Sequence, residues 1–261
     1  MLKKIVNLIK IFRIFDWNRT ILVLTICGLF LLFLENKLNP EYILTFILYI
    51  FYLIISASYG FLINSYADRK DDFKANKKVY IFFFPKKFIQ ILLMIFAFIM
   101  IIFPIVFKNF IIFLIGILIF FLANFYSLKP IRLKERGFLG FLLLTIVMMP
   151  LPYIFFLLLF KINLINFLSF FIFIMLYSFT DEISHQIEDY YNDKKTNTKT
   201  WIIKYGLRRA HIFFKYITIL LGLYPFIFLF IFHPINAILI ILILQLILID
   251  LYHDYFLLLE K

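Results

Sequence analysis

The chain has 261 residues, 64% of them hydrophobic and 21% aromatic, with a mean hydropathy of +1.00. A soluble core of this length cannot hide so much apolar surface, which excludes an ordinary water-soluble domain and indicates an integral membrane protein. A net charge of +12 would suit nucleic acid, but no recognition module accompanies it, and its placement assigns it to orientation and lipid contact.

Residues 1–19 carry Lys3, Lys4, Lys10, Arg13 and Arg19 among Ile, Leu, Phe and Trp17. That makeup predicts a cytoplasmic amphipathic segment lying in the headgroup region, with Arg13 and Arg19 able to reach an anionic ligand. It resembles a signal peptide but lacks a small-residue cleavage site, so it is read as part of the mature protein. Residues 20–261 form the membrane-embedded domain. Spans are expected at 20–36 and 41–64, joined by a short turn from Glu35 to Pro40. The sole cysteine, Cys27, lies in the first span and is assigned to packing.

The second span runs into Asn64-Ser65-Tyr66-Ala67-Asp68-Arg69-Lys70-Asp71-Asp72. If the helix continues, Asn64, Asp68 and Asp72 recur every four residues on one face. Stacked carboxylates at a membrane edge call for a cation or a metal-bound phosphate. Asp71, off that face, reads as a solvated surface charge. Lys74 follows at the end of the stretch.

Spans at 88–107 and 110–126 lead to Tyr126-Ser127-Leu128-Lys129-Pro130-Ile131-Arg132-Leu133-Lys134. Here a proline stops the helix and a cluster of cations follows a Tyr-Ser pair. The fifth span, 138–160, should kink at Pro150 and Pro152. The sixth, 164–184, runs into a second acidic stretch, Asp181 to Lys195. Spans at 211–232 and 235–257 complete an expected eight, with too few residues beyond them for another. Continuous apolar runs, rather than alternating ones, argue against a barrel.

The two acidic stretches are a repeat. A shift of 121 positions carries Asp68 onto Asp189, Asp72 onto Asp193, Lys74 onto Lys195 and Asn64 onto His185. The expectation is an all-α polytopic bundle of two four-helix repeats, about 20–126 and 138–257, around a central cavity that joins both acidic faces. With the N-terminus and alternate loops on one side, that side holds 24 Lys and Arg residues, and only Lys37, Lys108 and Lys161 fall on the other. By the positive-inside rule the basic side, both termini and both acidic stretches face the cytoplasm, most simply across the plasma (inner) membrane.

Asp68 and Asp72 facing Asp189 and Asp193 suit two Mg²⁺ ions clamping a diphosphate, with Lys74, Lys195, Arg132, Lys134 and Arg13 neutralising what the metals leave. Such a clamp binds a departing diphosphate more tightly as it gains charge, which favours breaking the adjacent C–O bond. At headgroup level above an apolar tunnel, the fitting substrate is a polyprenyl diphosphate whose tail lies in the bilayer. Tyr126 and the many Phe rings can stabilise an allylic cation. Asp181 and Glu182 lie deeper, where they either position the acceptor or make a helix-packing hydrogen bond.

Asn64-x-x-x-Asp68-x-x-x-Asp72, Asp189-x-x-x-Asp193 and Tyr126-Ser-x-x-Pro130-x-Arg132-Leu-Lys134 resemble the motifs of the UbiA superfamily of membrane prenyltransferases. Arg13-x-x-x-Trp17-x-Arg19 is similar to that family's N-terminal segment. The resemblance covers about residues 10 to 205. It implies an all-helical enzyme that binds a polyprenyl diphosphate through Mg²⁺ and transfers the prenyl group to an aromatic or other lipid-precursor acceptor. Asn64, Asp68 and Asp72 would be the first metal site and Asp189 and Asp193 the second, with Tyr126, Arg132 and Lys134 serving the diphosphate. Two features depart from the family pattern: eight expected spans where nine are common, and His185 where an earlier acid often stands. Alternatives are a family member with a non-aromatic acceptor, such as a carotenoid elongase or terpene cyclase, and a cation-coupled transporter. A transporter would place its acids near the bilayer midplane rather than at span ends.

Overall fold

A computed structural model describes residues 9–74, 79–196 and 198–224. Apolar runs with few Gly or Pro inside them, in a medium that leaves no water for the backbone, must close their hydrogen bonds internally, so they are helices. Six are long and apolar enough to cross a membrane among the described residues, and the chain is an integral membrane protein. They are α1 (Ile14–Leu34), α2 (Pro40–Lys74), α3 (Lys86–Ile102) with its 3₁₀ extension Phe103–Phe107, α4 (Phe110–Ser127), α5 (Phe138–Met148) with α6 (Pro150–Phe160), and α7 (Leu164–Thr196). A short α8 (Trp201–Tyr205) and α9 (Leu207–Tyr224) follow. The seventh expected span is described only as far as Tyr224, and the eighth lies outside the described residues.

Three boundaries depart from the expected spans: the first begins at Ile14 rather than 20, so α1 takes in the end of the N-terminal segment expected at 1–19, and two others bear on the site. The second and sixth spans, expected to end at 64 and 184, continue as unbroken helices to Lys74 and Thr196. At 1.5 Å per residue, α2 is about 52 Å long and α7 about 50 Å, against about 30 Å of hydrocarbon. Each therefore carries its acidic ladder on a rigid helical projection. The fifth span is cut in two where Pro150 removes a backbone donor, leaving Met149 between α5 and α6.

The half of the bundle away from the acids is filled by aromatic rings. Tyr49, Tyr52, Tyr153, Phe155 and Phe156 are fully buried. Their hydroxyls are satisfied by backbone: Tyr49 donates to the Pro152 carbonyl at 3.0 Å and Tyr153 to the Phe167 carbonyl at 3.3 Å. On the outer faces of α3 and α4, Met94, Phe98, Phe110 and Ile111 stand exposed, as lipid contact requires.

At that same end a polar clasp joins the α1–α2 turn to the α6–α7 turn. Glu35 accepts from the Asn166 amide at 2.6 Å, the Asn163 backbone N–H at 3.1 Å and Lys37 at 3.3 Å, while Lys37 also donates to the carbonyls of Phe160 and Lys161. Burial pushes the Glu35 carboxyl up, but the hydrogen bonds from Asn166, Asn163 and Lys37 outweigh it and hold its pKa below the ordinary value. A carboxylate lowered in this way stabilises the fold above the unfolded-state pKa, near 4.3, and loses that contribution as the pH falls through the lower folded value. Glu35→Gln should therefore cost about 2 kcal/mol at neutral pH, and the gap to the parent in thermal melts should close below pH 4. A gap of the same size at pH 3 and pH 7 would contradict the ionic clasp.

Candidate functional site

At the acidic end α2, α7 and the α4–α5 loop enclose a cavity of about 640 Å³. Asn64, Asp68 and Asp72 line it from α2, and Asp189 and Asp193 from α7. The two ladders thus share one chamber. Its deeper walls are apolar, with Leu24, Leu53, Ile119, Leu144 and Met148 among them.

The α4–α5 loop brings the cations. α4 stops at Ser127, where Leu128 turns extended two residues before Pro130, and the Arg132 N–H closes a turn on the Leu128 carbonyl at 2.8 Å. Arg132 sits in left-handed backbone (φ 39) ahead of a short 3₁₀ turn, Leu133–Glu135, and its guanidinium is nearly buried. It donates to Asp68 at 3.1 Å and Asp71 at 3.2 Å, and pairs with Glu135 at 2.8 Å. Lys134, also buried, forms an ion pair with Asp68 and donates to Asn64 Oδ1 at 3.2 Å. The loop can approach α5 because residue 140 is glycine: a Cβ there would meet the Leu133 carbonyl oxygen at 2.2 Å.

Asp71 therefore differs from the solvated charge expected of it. It is half-exposed, lines the cavity and holds Arg132. Asp71 lies off the Asn64–Asp68–Asp72 face of α2, but Arg132 reaches both Asp68 and Asp71. Arg13, in left-handed backbone ahead of α1, lines the cavity, pairs with Asp16 and lies 5.2 Å from the Phe61 ring centroid. Tyr126 lines the cavity within electrostatic range of Glu182, Asp68, Asp193 and Asp189, carboxylates from both halves. His185 lines it too, 3.8 Å from Asp181 and 4.0 Å from Glu188. Lys195 is exposed and lies outside the lining, and the Lys74 side chain is outside the described residues.

Several lining residues were not singled out from the sequence. Asp16 faces the mouth from α1, Asn192 lies one helical turn beyond Asp189, and Gln186 one turn before it. A 3.6-residue period drawn through Asp189 and Asp193 would have found the last two. Thr200, brought in by a lone bridge between Thr200 and Gly137, carries no such signal.

No group of three His, Cys, Asp or Glu side chains converges as a ready-made metal cage among the described residues. The oxygen donors from two helices around an open chamber fit a hard ion that takes one or two carboxylates and completes its shell with phosphate oxygens and water. They do not fit a soft-ligand or closed structural site.

The sequence model described as the UbiA prenyltransferase family matches residues 21–259. No curated protein matches significantly. Among solved structures, a UbiA homolog from Archaeoglobus fulgidus bound to DMAPP and Mg²⁺ superposes with a TM-score of 0.71 at 15% identity, over 93% of this chain and 85% of that one. The same homolog bound to GPP and Mg²⁺ gives 0.69 at 13% identity over 97% of both chains. Its Cd²⁺-bound form gives 0.69 at 14% identity, over 98% of this chain and 89% of that one.

Proposed function

Because the chain belongs to the UbiA prenyltransferase family, we propose that it transfers a prenyl group from an allylic polyprenyl diphosphate to an aromatic or other lipid-precursor acceptor, with Mg²⁺ and release of diphosphate. One observation carries this reading: the two aspartate ladders, on helices far apart in sequence, line one chamber that is polar at its mouth and apolar below. Likeness to a homolog solved with DMAPP or GPP and Mg²⁺ supports the same substrate class.

Asn64, Asp68 and Asp72 on one wall and Asp189 and Asp193 on the other would hold the Mg²⁺ ions. When bound, these ions would supply positive charge against the negative charge that builds on the leaving diphosphate. Arg132 and Lys134, already fixed beside Asp68, donate to the diphosphate as charge-assisted partners. Buried in a low-dielectric pocket, they strengthen as the C–O bond lengthens. The apolar lower wall takes the tail and keeps water from the allylic cation, and Tyr126 presents its ring near the reacting carbon.

The spacing of the helices supports two repeats: α3 begins at Lys86 and α9 at Leu207, 121 positions apart like the ladders. With the basic side cytoplasmic, a reporter fused to the C-terminus should read cytoplasmic.

The test uses purified protein, geranyl diphosphate and Mg²⁺, with diphosphate release as the signal. Release that stops on chelation and returns with Mg²⁺ is expected; no consumption under any divalent ion would overturn the reading. Arg132→Ala should raise the KM for geranyl diphosphate about tenfold, since a charged hydrogen bond is worth about 1.5–3 kcal/mol. Unchanged kinetics would remove Arg132 from the site.

A further inference from the structure

The apolar part of the cavity ends in a floor, and the floor lies at a definite depth below the aspartate ladders. Followed away from the acidic end, the last described residues to line the cavity are Leu24 on α1, Leu53 on α2 and Pro152 on α6. One helical turn beyond each, on the same face, stand Gly28, Tyr49 and Phe156. All three are buried.

These positions close on one another. The Tyr49 and Phe156 rings meet with their centroids 5.5 Å apart, and Phe46 packs edge-on against Phe156 at 6.0 Å. The Tyr49 hydroxyl, bonded to the Pro152 carbonyl at 3.0 Å, ties α2 to α6 at this level. The rings can lie against α1 because residue 28 is glycine: a Cβ there would stand 2.9 Å from Phe46 Cε2 and 3.1 Å from Phe156 Cε2. An interior packed this closely lets no chain through unless side chains move.

The depth of the floor can be read along the helices. Leu53 precedes Asp68 by 15 positions (68 − 53), and Ser178, the deepest lining residue on α7, precedes Asp189 by 11 (189 − 178). At 1.5 Å per residue the ladders stand about 22 Å above the floor on α2 and about 16 Å on α7. An extended chain advances about 1.2 Å per bond, so an isoprene unit of four backbone bonds takes about 4.5–5 Å. A tail that starts between the ladders therefore has room for about four units before it meets the Tyr49 and Phe156 rings.

Resting on the prenyl-transfer reading, we infer that Tyr49 and Phe156 determine which tail lengths the chain accepts. The donor is a short prenyl diphosphate of up to about four isoprene units, enclosed by the protein to its tip. Geranyl, with two units, stops short of the floor, and geranylgeranyl, with four, reaches it. Solanesyl, with nine, would need about 40 Å or more and must displace the rings or leave the bundle sideways. Tyr49 and Phe156 stand a full tail length from the reacting carbon, so they set specificity without touching the chemistry.

The test measures kcat/KM for diphosphate release by the purified full chain with Mg²⁺, using geranyl, geranylgeranyl and solanesyl diphosphate in turn. Solanesyl diphosphate should fall below geranylgeranyl diphosphate at least about 100-fold, the scale on which an apolar pocket rejects what does not fit. Two variants move the floor in opposite directions. Leu53→Phe puts a ring one turn higher and should lower the use of geranylgeranyl relative to geranyl diphosphate about tenfold or more. Phe156→Ala removes a floor ring and should raise the use of geranylfarnesyl diphosphate, with five units, relative to geranylgeranyl by a similar factor. Each ratio is taken within one variant, so it does not depend on how much of that variant folds. Solanesyl turnover within about tenfold of geranylgeranyl in the parent, or ratios unmoved in the variants, would overturn the inference and leave the prenyl-transfer reading standing. A parent protein that neither binds nor consumes geranyl diphosphate overturns that reading itself, and the inference with it.

Discussion

Alanine at Asp68 or at Asp189 is expected to reduce Mg²⁺-dependent turnover of geranyl diphosphate by about 10³-fold or more, a loss of about 4 kcal/mol of transition-state stabilisation. The two substitutions reach the same end by different routes. Asp68 is the common partner of Arg132 and Lys134, both nearly buried. Its removal leaves the buried Lys134 ammonium without its carboxylate, while Arg132 keeps Asp71 and Glu135, and costs about 3–5 kcal/mol in fold stability as well as a proposed metal ligand. Asp189 stands on the opposite wall, and the cations of the α4–α5 loop pair across the chamber on the Asp68 side. Its loss removes the proposed metal ligand on the α7 wall and leaves the Asp68–Lys134 and Asp68–Arg132 pairs in place. Asp68→Asn, which keeps shape and one acceptor oxygen, separates the effects by restoring much of the stability but not the turnover. Full activity in either alanine variant would contradict the assignment of the ladders to one site.

Alanine at Gly140 should have the largest effect of any substitution outside the carboxylates. The added Cβ would lie 2.2 Å from the Leu133 carbonyl oxygen and 2.9 Å from the Lys134 Cα, both backbone atoms with no rotamer to escape through. Either α5 moves outward or the 3₁₀ turn carrying Lys134 shifts, and overpacking of this kind costs about 1–3 kcal/mol or more. Since that turn aims Arg132 and Lys134 at Asp68, the expected signature is a lower melting temperature together with a raised KM for geranyl diphosphate. A melting temperature and KM both within error of the parent would mean that the loop is not held where the close contact puts it.

The ladders were legible because an α-helix repeats nearly every four residues, so acids spaced by four at 68 and 72 and again at 189 and 193 fall on one face once the helix continues. Whether it continued was the open point, since hydropathy falls at residues 64 and 184; α2 and α7 run through because Lys, Asp and Glu are acceptable helix formers outside the bilayer. The proline-terminated Tyr-Ser segment was also readable. What Arg132 and Lys134 touch was not, because left-handed backbone at Arg132 and the glycine contact at 140 are tertiary facts. That is why Asp71 read as solvated although it holds Arg132. The clasp of Glu35, Lys37, Asn163 and Asn166 joins turns about 130 positions apart, and no local pattern announces such a pairing.

The most direct test of a shared two-helix metal site is an EPR titration of Mn²⁺, standing in for Mg²⁺, with and without a non-cleavable thio-analogue of geranyl diphosphate. Tight Mn²⁺ binding that needs the analogue, and that weakens sharply in both Asp68→Asn and Asp189→Ala, is the predicted result. Binding indifferent to the analogue, or untouched by either substitution, would contradict it.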